Sequence, residues 1–248
     1  MANPSFEDLP LEEVMRAAHL DHSHRSVSTG GARAAVFGAS DGLVSNVALI
    51  LGVAAADPAP GVVRLAGIAG LIAGAVSMAA GEYISMKAQS ELFERELELE
   101  RRAQLANPAL ERLELAKIYE SRGIEPEAAQ ELAAAMMRDP QVALEVHARE
   151  ELGIDPDELG APVGAAVWSF LAFALGAILP LAPWFVTRGG AAVGSSIVLG
   201  VVGALTLGGL VGYLSGRSIP FAAMRQTLIA GAAAAITYVI GSLVGVGV

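Results

Sequence analysis

Three side chains, Asp41, Met78 and Glu82, stand in stretches made mostly of small and apolar residues, "FGASDGLVSNVAL" and "GAVSMAAGEYISMKAQS", with Ser40, Ser45 and Asn46 flanking Asp41 and Lys87 following Glu82. Met78 and Glu82 are i and i+4, so on a helix they project from one face, one turn apart. Two hard carboxylates with one soft sulfur suit a divalent transition metal better than Ca²⁺ or Mg²⁺, which prefer all-oxygen shells. A charge at the centre of a bilayer costs about 3 kcal/mol on insertion scales, so an acid kept inside an apolar span is a candidate for function. The plainer readings are a structural cap or interhelical hydrogen bond for Asp41, contact with the membrane interface for Glu82, and core filler for Met78.

A second group lies in a Glu-rich segment. Glu111 and Glu114 are i,i+3 on one helix face, His147 and Glu150 are i,i+3 on another, and Glu100 falls near the end of a preceding rod. Oxygen ligands with one imidazole suit Mn²⁺, Fe²⁺ or Zn²⁺. Helices this rich in Glu also produce such pairs by chance, and most of these acids are ordinary solvated surface. Near the N-terminus "HLDHSHRS" gathers His19, His22 and His24 around Asp21. That run is able to pick up metal, and is equally well read as a solvated approach to a membrane.

The elements that must position these residues follow from hydropathy and charge. The chain has 248 residues, 54% of them hydrophobic, with a formal net charge of −10. The charge is not spread evenly: residues 89–160 hold eighteen of the 26 acids against eight bases, whereas residues 161–248 contain no acid. Five windows, approximately 34–56, 62–86, 161–186, 190–214 and 221–247, are long and apolar enough to cross about 30 Å of hydrocarbon. Short joints at "DPAPG", "TRGG" and "GRSIP" make neighbouring spans antiparallel. Small residues at four-residue spacing, Gly38/Gly42, Gly70/Gly74 and Gly208/Gly212/Gly216, read as close helix packing.

The expected fold is therefore all-α: a polytopic membrane protein with five transmembrane helices and a helical domain inserted between spans 2 and 3. Its parts are an N-terminal segment (1–33), spans 1 and 2 (34–88), the acidic metal-binding module (89–160) and spans 3 to 5 (161–248). Asn107 with Pro108, Pro126, and Asp139 with Pro140 read as helix starts within the module. Residues 82–106 carry no breaker, so span 2 is expected to continue as a rod beside three short helices. Arg25, Arg33, Lys87, Arg217 and Arg225 flank span ends on one side, against Arg64 and Arg188 on the other. By the positive-inside tendency, the N-terminus and residues 89–160 are expected to be cytoplasmic. Nothing in the first 30 residues has the apolar run of a signal peptide. With no Cys, thiolate metal sites and disulfides are excluded.

"GASDGLVSNVALILGV", then "GAVSMAAGEYIS", then a Glu-rich insert ending "REELGIDPDELGAP" and three apolar spans closely resemble the vacuolar iron transporter family, in order over residues 34–248. The resemblance implies five spans per protomer, a homodimer with the ion path between the two first spans, and proton-coupled export of iron and manganese, Fe²⁺ and Mn²⁺, from the cytosol. That would place the chain in the inner membrane of a bacterium, or the vacuolar membrane of a eukaryote. Carried over by motif, Asp41 and Met78 match the family's pathway Asp and Met, and Glu82 the Glu of its second-span motif. The metal-binding glutamates of the insert fall on Glu100, Glu111, Glu114 and Glu150. Two positions depart from the pattern: a Glu expected three residues after Glu100 is Ala103, unless Glu96 or Glu98 substitutes, and a Met pair expected before Glu150 is Val146 and His147.

The leading reading is a secondary transporter, not an enzyme and without a prosthetic group, carrying Fe²⁺ or Mn²⁺, with Zn²⁺, Co²⁺ and Ni²⁺ as further possible ions. One rival is a carboxylate di-iron ferroxidase, which would need two Glu-x-x-His units that this chain lacks. Another is a membrane-anchored metal sensor, which leaves Asp41 and Met78 without a role. The acidic charge disfavours nucleic acid, and no Gly-rich phosphate loop with Lys supports a nucleotide.

Overall fold

The computed structural model describes residues 30–156 and 160–245; His19, His22, His24 and Arg25 lie outside them. The described residues form nine helices and no strand. They are α1 (Gly30–Ala54), α2 (Pro60–Ala106), α3 (Pro108–Ser121), α4 (Pro126–Met136), α5 (Pro140–Glu150), α6 (Pro162–Leu181), α7 (Pro183–Val186), α8 (Gly189–Leu214) and α9 (Ile219–Gly245). Six of them open on proline, whose fixed φ and missing N–H suit the first helical position. Asp139 caps α5 by accepting from the backbone N–H of Gln141 at 2.8 Å. Asn107 stands at the start of α3 but makes no side-chain capping bond. Its backbone carbonyl receives the N–H groups of Leu110 and Glu111 instead.

Five helices, α1, α2, α6, α8 and α9, are long and apolar enough to cross a membrane. α1 is the centre of this bundle, packing against α2, α6, α8 and α9. Its contact with α6 is close because both partners present glycine. A Cβ on Gly38 would stand 2.8 Å from the Ser169 carbonyl oxygen, and one on Gly176 would press on the Ala39 carbonyl. Gly208 and Gly212 let α8 approach α9 in the same way. Gly216 differs from the packing role its spacing implies: it lies past the end of α8 with φ +64° and meets no neighbour, so it turns the chain. Side-chain bonds to backbone carbonyls tie helices together, Asn46 Nδ2 to Ala177 at 2.7 Å and Thr237 Oγ1 to Ala48 at 2.7 Å. The outward faces carry exposed large apolar side chains, among them Leu65, Ile72, Val76, Ile236 and Leu243. Lipid accepts such faces, which water would not.

α2 is one unbroken helix of 47 residues, about 70 Å at the α-helical rise. Its first half packs in the bundle, and its second half leaves it. There α3, α4 and α5 fold beside it around a small core of Leu115, Ala116, Tyr119, Ala129 and Ala133. Val146 packs against that core, so the first of the two positions where the family pattern has methionine is here an apolar filler.

Candidate metal-binding sites

Asp41 and Met78 come from different helices, yet they line one cavity of about 290 Å³ between α1, α2 and α6. Ser45, Asn46, Ser77, Gly70, Gly74 and Phe173 complete most of its wall. Antiparallel pairing of α1 with α2 makes this meeting: each helix runs into the bundle from the opposite end, so residues early in α1 face residues late in the apolar half of α2. Met78 is half-buried and packs against the Ala75–Phe173–Ala177 cluster. Ser45 donates back to the Asp41 main-chain carbonyl at 2.6 Å, and Asp41 itself is exposed along the cavity.

Glu82 does not line this cavity. It lies one turn further along α2, where one carboxylate oxygen faces the Arg33 guanidinium at 3.5 Å. The Arg33 side chain is 77% exposed and that of Glu82 only 15%. The facing oxygen is buried and accepts no hydrogen bond. The pair is thus loose, with an exposed cation over a largely sheltered carboxylate. Arg33, Phe37, Asp41 and Ser45 are spaced by four, so the mouth and the cavity lie on one stripe of α1.

In the module, Glu100 of α2, Glu111 of α3 and His147 of α5 converge, all three buried, with one ligand atom of each within 4.8 Å of the others. His147 Nδ1 lies 2.8 Å from the Ala143 carbonyl oxygen and Nε2 3.2 Å from that of Glu111. Both ring nitrogens thus face carbonyl oxygens, which fix the ring; with the proton on Nδ1, donated along the shorter contact, Nε2 could ligate a metal only by turning from the Glu111 carbonyl. Glu100 is oriented by Gln104, which donates to it at 2.9 Å. Burial pushes the Glu111 carboxyl above the usual carboxylate range; Glu100 and Glu114 push it further, and His147 opposes them. Acids crowded this way lower their energy by taking a cation or a proton.

Of the acids proposed from sequence, Glu114 is exposed beside this cluster and acts on it through charge. Glu150 is turned away and pairs with Arg122. Glu98 is held by Arg102 at 2.8 Å, so it is not free to stand in for the acid missing at Ala103. Glu151 went unremarked in the sequence, yet its carboxyl is also raised, by burial first and then by Glu100 and Glu114, with His147 opposing. Its spacing in the sequence carries a signal: Glu151 is i+4 from His147, as Glu150 is i+3, and both spacings bring side chains near one another on a helix.

The pattern of relatives agrees with this architecture. The VIT family model matches residues 32–242. Vacuolar iron transporter 1 of Oryza sativa subsp. japonica is 31% identical over 230 residues, covering 91% of each chain. The vacuolar iron transporter of Acanthamoeba castellanii is 36% identical over 228 residues, 89% of this chain and 82% of its own. Vacuolar iron transporter 1 of Arabidopsis thaliana is 30% identical over 228 residues, 91% of each. The match runs through the apolar spans and the acidic insert alike, and the chain belongs to the VIT family.

Proposed function

We propose that this protein is a secondary transporter of divalent transition-metal ions, Fe²⁺ or Mn²⁺, which it exports from the cytosol in exchange for protons. The observation that carries the reading is the shared cavity: an acid and a thioether from different helices face one space inside an apolar bundle. The names of the relatives, vacuolar iron transporters, support iron as the cargo. The Glu100–Glu111–His147 cluster would gather metal on the cytoplasmic side, and Glu82 would receive it when Arg33 swings away. Asp41 and Met78 would then hold it within the bundle. A carboxylate takes either a cation or a proton, so Asp41 and Glu82 are the groups through which exchange would run. Phe37, Asp41 and Ser45 are exposed on one stripe of α1 in the single chain. A second copy against that stripe, forming a homodimer, would enclose the path between the two first spans.

The ferroxidase alternative is poorly supported: the cluster has a single imidazole where two Glu-x-x-His units would be needed. The test is metal uptake into liposomes holding the purified full chain, with each divalent metal in turn, with and without a pH gradient. Uptake of Fe²⁺ or Mn²⁺ accelerated by the gradient is expected. Metal binding without flux, whatever the gradient, would leave a metal-holding membrane protein and end the transport reading.

A further inference from the structure

We infer that Asn46 is a ligand of the transported ion: its side-chain carbonyl oxygen is a neutral station at the inner end of the Asp41–Met78 cavity. This rests on the transport reading above and assigns it a residue that the sequence motifs do not single out.

The Asn46 side chain is 1% exposed. Its Nδ2 donates to the Ala177 carbonyl of α6 at 2.7 Å. Only the amide nitrogen can donate to a carbonyl, so this bond decides which way the amide faces. The other end, Oδ1, is buried and accepts no hydrogen bond, an unfavourable state for an amide oxygen in an apolar bundle. Asn46 also lines the same cavity as Asp41 and Met78.

A glycine keeps that oxygen clear. A Cβ at Gly70 of α2 would stand 3.0 Å from Oδ1, and would press on Leu49 Cδ2, the tip of a flexible side chain that would have to turn aside. Helical rise gives the direction. Asn46 is five residues beyond Asp41 on α1, and Gly70 is eight residues before Met78 on the antiparallel α2. Both therefore lie on the order of 10 Å deeper than the Asp41–Met78 level, away from the Arg33–Glu82 mouth. An ion leaving Asp41 in that direction meets the Asn46 oxygen.

The chemistry of an amide fits a station for release. It is a hard oxygen without net charge, so it replaces part of a hydration shell without the grip of a carboxylate. It does not titrate, so its occupancy does not depend on a proton. It offers nothing to distinguish a transition metal from Mg²⁺, a task left to the sulfur of Met78. Loss of Asn46 should therefore slow turnover while leaving selectivity and pH profile alone.

The experiment is Mn²⁺ uptake into liposomes by the full chain, expressed per molecule of monodisperse folded protein. Asn46→Leu removes both amide functions, and Gly70→Ala keeps the bond to Ala177 while placing a methyl group against Oδ1; Leu49→Ala, alone and combined with Gly70→Ala, separates the contact of that methyl with Leu49 from its effect on the oxygen. Asn46→Leu and Gly70→Ala are each expected to lower the maximal rate by roughly tenfold, the scale seen when a metal site loses a supporting contact. The half-saturating Mn²⁺ concentration and the pH profile should not move. Asn46→Asp, which puts a full charge at the station, should bind Mn²⁺ more tightly and release it more slowly. A wild-type rate per folded molecule for Asn46→Leu or Gly70→Ala would overturn the assignment, since a merely structural amide would change yield and not turnover. Binding separates this failure from failure of the transport reading. In a chain carrying Glu100→Gln and Glu111→Gln, so that the module cluster is disabled, Asn46→Leu should retain less Mn²⁺ in equilibrium dialysis whether or not the wild type moves metal. Equal retention would overturn the assignment there too.

Discussion

In the bundle, one carboxylate, Asp41, shares an apolar cavity with a thioether and an amide oxygen. In the module, Glu100 and Glu111 crowd a buried imidazole, with Glu114 and Glu151 adding their charge. The two places differ in how they would hold the same ion. Crowded acids repel one another until a cation arrives, so the module gains affinity from charge and pays in the stability of its empty state. The cavity holds one acid among neutral ligands, so an ion there is only partly compensated and can move on. A site for capture and a site for passage are thus distinguished by the number of carboxylates per ligand set.

The sharpest way to break this comparison is to remove the single charge of the cavity. Asp41→Ala is expected to reduce metal uptake in liposomes by roughly a hundredfold or more. That corresponds to about 3 kcal/mol for an ion left in hydrocarbon without its counter-charge. The protein should remain folded, as judged by size-exclusion profile and helical circular dichroism, because Asp41 is exposed along the cavity. Asp41→Asn keeping full flux and full proton coupling would show that the charge is not what matters there.

Removing charge from the module should act oppositely on stability and binding. Glu100→Gln with Glu111→Gln is expected to weaken Mn²⁺ binding by the full chain by about 10–100-fold in calorimetry. The metal-free protein should at the same time melt higher, because like charges around His147 are relieved. Uptake should suffer only at low metal, with the maximal rate little changed. A loss of maximal rate as large as that of Asp41→Ala would mean that the two regions form a single site.

The acidity of the module gives a pH test of the same contrast. Glu111 and Glu151 have carboxyls raised above their ordinary value, so the folded module holds protons that the unfolded chain has already released. Their contribution to stability is therefore present at low pH and is lost as pH rises through the raised values. Metal binding requires the ionised forms, so it runs the other way. As pH rises from the ordinary carboxylate range through the raised values, the increase in melting temperature caused by saturating Mn²⁺ should grow. An increase independent of pH would remove Glu111 from the ligand set.

Much of this architecture could be read before any coordinates. The five spans are legible because lipid demands long apolar runs, and the module because proline opens its helices. Gly38 and Gly42 were readable as packing because four-residue spacing stacks them on one face. What sequence alone does not supply is which of several acids a helix turns inward. Glu150 and Glu151 are neighbours in the chain, and the ion pair with Arg122 at the end of α3 engages the first, whereas the second is exposed at the end of α5. The pairing of Glu82 with Arg33 depends on how α1 and α2 cross, and hydropathy says nothing of that. Asn46 looks like any polar residue in a span until its amide is seen fixed to Ala177, with its oxygen left over.

The smallest expected effect concerns the soft ligand, and it decides whether the cavity selects or merely conducts. Met78 is half-buried against Ala75, Phe173 and Ala177, so Met78→Leu preserves volume and hydrophobicity and should cost less than about 1.5 kcal/mol of stability. Asp41 and the Asn46 oxygen remain in place, so the maximal rate should stay within a few-fold of wild type. What disappears is the sulfur, the one wall group that favours transition metals over Ca²⁺ and Mg²⁺. Competition flux is therefore the informative measurement: labelled Mn²⁺ uptake against excess Mg²⁺ or Ca²⁺, in the wild type and the variant. The hard ions should inhibit Met78→Leu more strongly, by a factor of about ten if the thioether contributes one weak ligand bond of ~1.4 kcal/mol. The module provides the internal control, because its oxygen and imidazole ligands are untouched and its Mn²⁺ binding should not change. If rate and selectivity both stay at the wild-type level, Met78 is packing. Discrimination would then have to arise in the module, where His147 is the only ligand that is not an oxygen among the three that converge.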